Sequence, residues 1–124
     1  MAVITDRGIL RTFLEEVRGH LPALEREVAR LRAPSVREGA MDEVHRLAHS
    51  IRSASEMIGL AHLADAARGV ESLAAECGGL AYPDQNKLEH LEHRLASLRM
   101  GLDLVQDDGS VMAGEATEPR APVP

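Results

Sequence analysis

Apolar residues return every three or four positions in four segments of this chain, with polar residues filling the intervals. The first segment runs Leu10, Leu14, Val17, Leu21, Leu24, Val28, Leu31, and the second Met41, Val44, Ala48, Ile51, Ser55, Ile58, with Leu47 at its flank. The third is Leu60, Leu63, Ala67, Val70, Ala74, Cys77, and the fourth Leu88, Leu91, Leu95, Leu98, Leu102, Val105. Steps of three and four lay one stripe along each α-helix, and such stripes seal best between nearly antiparallel helices crossing at about 20°. No stretch alternates with period two and β-branched side chains, so no sheet is expected. The pattern predicts helices near 7–32, 38–58, 60–78 and 84–105. Together they make an all-α, antiparallel up-down-up-down four-helix bundle over residues 1–105.

Punctuation agrees with the stripes. Thr5 or Asp6 suits the first N-cap, and Ala33-Pro34-Ser35 ends that helix. Gly59 closes the second helix and turns tightly into the third. Gly78-Gly79 ends the third, and Pro83-Asp84 introduces the fourth. An interior proline costs a helix about 3 kcal/mol, yet the stripe keeps phase across Pro22, so a bend rather than a break is expected there. After Val105 the stripe stops, and residues 106–124, small, polar and proline-containing, read as a disordered tail or linker.

Composition narrows the class. A chain of 124 residues suits one domain, and with Phe13 and Tyr82 as its only aromatics the core must be aliphatic. A formal charge of −6 argues against nucleic-acid binding. The single cysteine, Cys77, cannot form an internal disulfide and reads as a buried, inert thiol in a reducing compartment. No run approaches the ~20 apolar residues of a membrane span, and no signal-peptide order is seen. A soluble, cytoplasmic monomer is expected.

The candidate chemistry lies in the second helix. At 100° per residue, His49 sits on the order of 140° from the centre of its helix's stripe and faces water. His45 precedes it by one turn, and Arg52 and Ser53 follow it by one turn. A neutral imidazole can attack a phosphoryl group and carry it covalently. Such transfer needs positioning and charge stabilisation more than other covalent chemistry. Arg52 can offer cationic donors to phosphoryl oxygens, and Ser53 leaves room for a partner.

The run Ala48-His49-Ser50-Ile51-Arg52-Ser53-Ala54-Ser55, closed by Ile58-Gly59-Leu60, resembles the signature of histidine-containing phosphotransfer (HPt) domains. That signature has an alanine–histidine pair, a small residue, an aliphatic, a lysine, a glycine, small residues and an aliphatic–glycine pair. The likeness continues through Leu63 to Leu73, including Glu71. Residues 13–31 look like the first helix of the HPt domain that begins chemotaxis-type histidine kinases. Over roughly residues 7–105 the resemblance implies a helical bundle whose histidine exchanges phosphate with receiver-domain aspartates or accepts it from a kinase core. It implies His49 as phospho-acceptor, Arg52 as phosphoryl stabiliser and Ser53 as the small residue beside the site. It also implies no cofactor on this chain, with magnesium on the partner receiver. Arg52 replaces the usual lysine and Ser53 the usual glycine, changes that bear on partner choice. A receiver is expected to dock over Asp42, His45, Arg46, His49, Arg52, Ser53 and Glu56.

Two other readings share this fold. In one, His49 is a solvated helix-face histidine and the bundle a silent interaction module. In the other, the six histidines bind metal, since His45/His49 and His90/His93 have helical ligand spacings. His90 and His93 project away from their stripe, which argues against that site. An enzyme acting alone finds no glycine-rich phosphate loop, nucleotide motif or serine–histidine–acid set.

Overall fold

A computed structural model describes residues 6–33, 39–77 and 84–106. It contains α1 (Arg7–Arg30), α2 (Ala40–Met57), α3 (Ala61–Glu76) and α4 (Gln85–Asp103), with no strand among the described residues. Expected and observed ends differ by at most two residues. Every stripe residue is buried except Leu10, which is partly exposed at the end of α1. The core is therefore the aliphatic seam that the spacing predicted, and Phe13 packs at its margin.

The expected signals at Thr5, Pro34-Ser35, Gly78-Gly79, Tyr82 and Pro83, and the tail from 107 onward, lie outside the described residues. Asp6 caps α1, its carboxylate accepting from the Gly8 and Ile9 amides at 2.9 and 3.1 Å. Asp84 does the same for α4 through the Asn86 and Lys87 amides at 2.7 and 3.1 Å. α1 continues unbroken through Pro22, which sits on the exposed side.

Between α2 and α3 the chain reverses over Ile58, Gly59 and Leu60. Gly59 has φ 77°, the left-handed region that a side chain disfavours. The Leu60 amide reaches the Ser55 carbonyl at 2.9 Å and the Gly59 amide the Glu56 carbonyl at 3.1 Å, a Schellman closure. Ile58 and Leu60 are both buried beside it.

Each helix packs on its neighbours in chain order, and α1 meets α4 to close the ring. Cross-helix bonds confirm the antiparallel senses. Arg99 holds Glu25 at 2.7 and 3.0 Å, Arg32 holds Glu92 at 2.7 Å twice, and Arg18 donates to the Val105 carbonyl at 3.2 Å. Low positions of α1 thus meet high positions of α4. Lys87 meets Glu76 at 3.1 Å and His62 lies 3.4 Å from the Gly101 carbonyl, which sets α4 against α3 in the same way. These pairs are mostly exposed and contribute little energy individually, but they mark the register.

The core holds one polar exception. Ser55 is fully buried, and its Oγ has no hydrogen-bond partner. An orphaned hydroxyl costs free energy that a methyl group does not. Ser55→Ala is expected to raise unfolding free energy by up to about 1 kcal/mol in urea titration. Gly59→Ala should lower it by about 1–2 kcal/mol, because alanine cannot adopt the turn's φ without strain. A Ser55→Ala protein less stable than the parent would refute the first expectation.

Candidate functional site

α2 and α3 run antiparallel from the Gly59 turn, so His49 and Glu71 stand at similar heights on facing helices. Glu71 follows Val70 of the buried stripe, and its carboxylate emerges at the rim of the core, 15% exposed. His49 is 55% exposed, with Nδ1 2.8 Å from Glu71 Oε2. Arg52, one turn on, donates Nε to Glu71 Oε1 at 2.6 Å and Nη1 to Glu56 Oε2 at 3.1 Å. Arg68 also holds Glu56, at 2.7 Å, and Asp65 at 2.8 Å. His45 Nε2 stands 3.9 Å from Glu71 Oε2, beyond hydrogen-bond range. Charges alternate along the α2–α3 seam from Asp65 through Arg68, Glu56, Arg52 and Glu71 to His49.

The ring nitrogen facing Glu71 has two polar neighbours, since Arg52 Nη2 lies 3.0 Å from it. An ionised carboxylate at 2.8 Å from an unprotonated nitrogen would oppose two lone pairs. We therefore assign the proton to Nδ1, donated to Glu71, with Arg52 Nη2 an adjacent group rather than a hydrogen-bond donor to the ring, which leaves the lone pair on Nε2. Glu71 must be ionised for this. Burial pushes its carboxyl up, but the hydrogen bonds from Arg52 and His49, together with the Arg52 charge, outweigh burial and hold it below the ordinary carboxylate range. The same Glu71 bond, more than Glu56, raises the Arg52 guanidinium.

On its other side His49 borders a shallow hollow of about 300 Å³ between α1 and α2. Phe13, Glu16 and His20 form the α1 wall, and His49, Ser50, Ser53 and Ala54 the α2 wall.

The residues expected on the docking face divide in this geometry. Asp42, His45, Arg46, His49 and Ser53 are exposed on α2. Arg46 is paired with Glu43 at 2.9 Å. Arg52 differs from the expectation of a free donor: its side chain is only 21% exposed, and Glu71 and Glu56 hold it on the Nδ1 side of the ring. Glu56, at 28% exposure, is occupied by two arginines. Two features escaped sequence reasoning. Glu71 was visible only as part of a resembling segment, with nothing in its own helix to pair it with His49. The α1 wall carries no local motif at all.

A family model for the Hpt domain matches residues 8–107. The chain belongs to the Hpt domain family. Hpt domains are helical bundles of phosphorelay signalling that interact with histidine kinases and response regulators. No curated protein and no solved structure matches the chain. None of the described helices is long and apolar enough to cross a membrane. Among the described residues no three His, Cys, Asp or Glu side chains converge as metal ligands. Cys77 is buried, and burial pushes its thiol up, away from reactivity.

The Glu71 carboxyl yields a pH prediction. A folded-state value below the ordinary one contributes stability that is present above the ordinary carboxylate range and lost as pH falls through the folded value. Glu71→Gln should therefore cost about 1–2 kcal/mol at pH 7, and the cost should shrink steadily as pH is lowered below the ordinary carboxylate range, measured by urea unfolding. An equal cost at every pH would assign the loss to packing rather than charge.

Proposed function

We propose that His49 is the phospho-acceptor of this Hpt domain, passing a phosphoryl group between a response-regulator aspartate and a partner, or receiving it from a histidine kinase core. The observation that supports this best is the His49 Nδ1–Glu71 hydrogen bond on a half-exposed ring. It leaves Nε2 unprotonated and accessible, as a nucleophile must be.

In transfer from an aspartyl phosphate, the Nε2 lone pair forms a bond to phosphorus. The phosphorus–oxygen bond to the aspartate breaks, and its electron pair leaves on the carboxylate oxygen. The Nδ1 proton stays in its hydrogen bond, and the Glu71 carboxylate balances the positive charge that the ring acquires. Return of phosphate reverses these movements. Positioning supplies most of the remaining acceleration. Magnesium, on this reading, is held by the receiver, and this chain acts as a cytoplasmic monomer without a cofactor of its own.

Arg52 acts through Glu71 here: it neutralises the carboxylate's second oxygen and holds the other oxygen toward His49. A receiver docks over the exposed face of α2, burying a small transient interface at or below roughly 1,200 Å². The α1 wall of the hollow extends that face toward Phe13 and Glu16.

The test is acid-labile radiolabel tracing with acetyl-phosphate-charged receivers and kinase cores. His49→Gln should keep its helicity and stay within about 1 kcal/mol of the parent in stability, yet take up no label. Arg52→Ala should keep the nucleophile and slow uptake by about tenfold, the worth of one charge-assisted hydrogen bond in a partly exposed site. Ser53→Trp should fold normally and block transfer from receivers by filling the approach. Label retained in His49→Gln would overturn the site. A parent protein labelled by no receiver or kinase core would leave the silent-bundle reading in its place.

A further inference from the structure

A phosphoryl group on Nε2 brings charged oxygens that want donors, and the residue expected to supply them is engaged elsewhere. Each of the three Arg52 guanidinium nitrogens already has a neighbour. Nε is on Glu71, Nη1 is on Glu56, and Nη2 is beside Nδ1 itself. The hollow bordering the other side of His49 contains donors that are not engaged. His20, Ser50 and Ser53 line it, and none makes a hydrogen bond or ion pair among the described residues.

His20 is the unusual member. It sits on α1 between the buried Val17 and Leu21, and it is only partly exposed. A partly buried imidazole without a partner forgoes bonds that water would give it, so it belongs where a partner arrives. Its helix packs directly on α2, so it is carried by rigid structure rather than by a loop. In either protonation state it has at least one N–H to give. The Glu16 carboxylate on the same wall opposes an anion, but it is exposed, and water screens it.

We propose that His20 is a phosphoryl-binding residue: it donates from α1 to the phosphoryl oxygens carried on His49 Nε2, with the Ser50 and Ser53 hydroxyls as the α2 donors of the same hollow. This rests on His49 being the phospho-acceptor. It gives α1 a part in the chemistry beyond its place in the core. It also accounts for transfer in a protein whose signature cation is committed to Glu71.

Phosphoramidate tests the site without any partner. His49 Nε2 attacks its phosphorus, the phosphorus–nitrogen bond breaks, and ammonia leaves with the electron pair and a proton. The full chain is labelled in its parent form and as His20→Ala, His20→Gln and His49→Gln, with circular dichroism confirming the fold of each. Label that is absent from the parent, or that persists in His49→Gln, overturns the acceptor assignment and this proposal with it. With label confined to His49, His20→Ala should slow uptake by roughly three- to tenfold, the size of one hydrogen bond to a charged group in a half-exposed site. His20→Gln, a neutral donor, should recover most of the rate. The His20 ring resonances of the parent should shift on phosphorylation, and the phosphohistidine phosphorus resonance should differ in His20→Ala. Uptake by His20→Ala within twofold of the parent, with unmoved His20 resonances, would overturn the proposal while leaving His49 intact. A slowed His20→Ala that His20→Gln does not rescue would also overturn it, by assigning the loss to packing.

Discussion

The reversal at Gly59 is the constraint on which the site depends. It joins α2 to α3 with so little chain that the two helices can only run back along each other, in one register. At 1.5 Å per residue, His49 lies about 15 Å and Glu71 about 18 Å from Gly59, so they arrive at nearly the same height. The left-handed φ of Gly59 and the paired amide bonds behind it convert a local backbone preference into a long-range pairing 22 residues apart in sequence. Buried Ile58 and Leu60 anchor the turn to the core, so the pairing does not rest on surface ions.

Given that register, the charges along the seam sort themselves. Glu71 is the one acid of the row whose carboxylate comes close to the imidazole, and it is also the least exposed. Burial by itself would favour its neutral form, and the neighbouring cation reverses that preference. Arg52 therefore does more for His49 by charging Glu71 than by reaching outward. A guanidinium suits this task better than an ammonium, since its planar fork serves two carboxylates at once. The replacement of the signature lysine thus has a physical counterpart in the structure. The serine in place of glycine has a simpler one, since Ser53 is exposed and adds its side chain to the approach to the ring.

The division of labour between helices follows. α2 supplies the imidazole, α3 provides the carboxylate at its Nδ1, and α1 forms the facing wall of the hollow that His49 borders. α4 takes no part at the ring and closes the bundle through its ion pairs with α1 and α3. The histidines of α4, His90 and His93, are exposed on the far helix, which separates them from His45 and His49.

The fold was legible in the sequence because helix, stripe and cap are all local. The three-and-four spacing placed nearly every core residue, Asp6 and Asp84 announced their helices, and Gly59 announced its turn. His49 and its outward direction were legible for the same reason: angle around a helix depends only on residue number. Partnership was not. Whether Arg52 reaches outward or back to Glu71, and whether His20 shares a hollow with His49, depends on which helix lies alongside and at what height. Sequence spacing within one helix carries no record of that. Nor could the stripe reveal that Ser55 would be buried without a partner, since a small residue fits the seam whether or not an acceptor comes near. Those features arise only when four stripes close on one another, because packing, not propensity, sets the distances between side chains that are far apart along the chain.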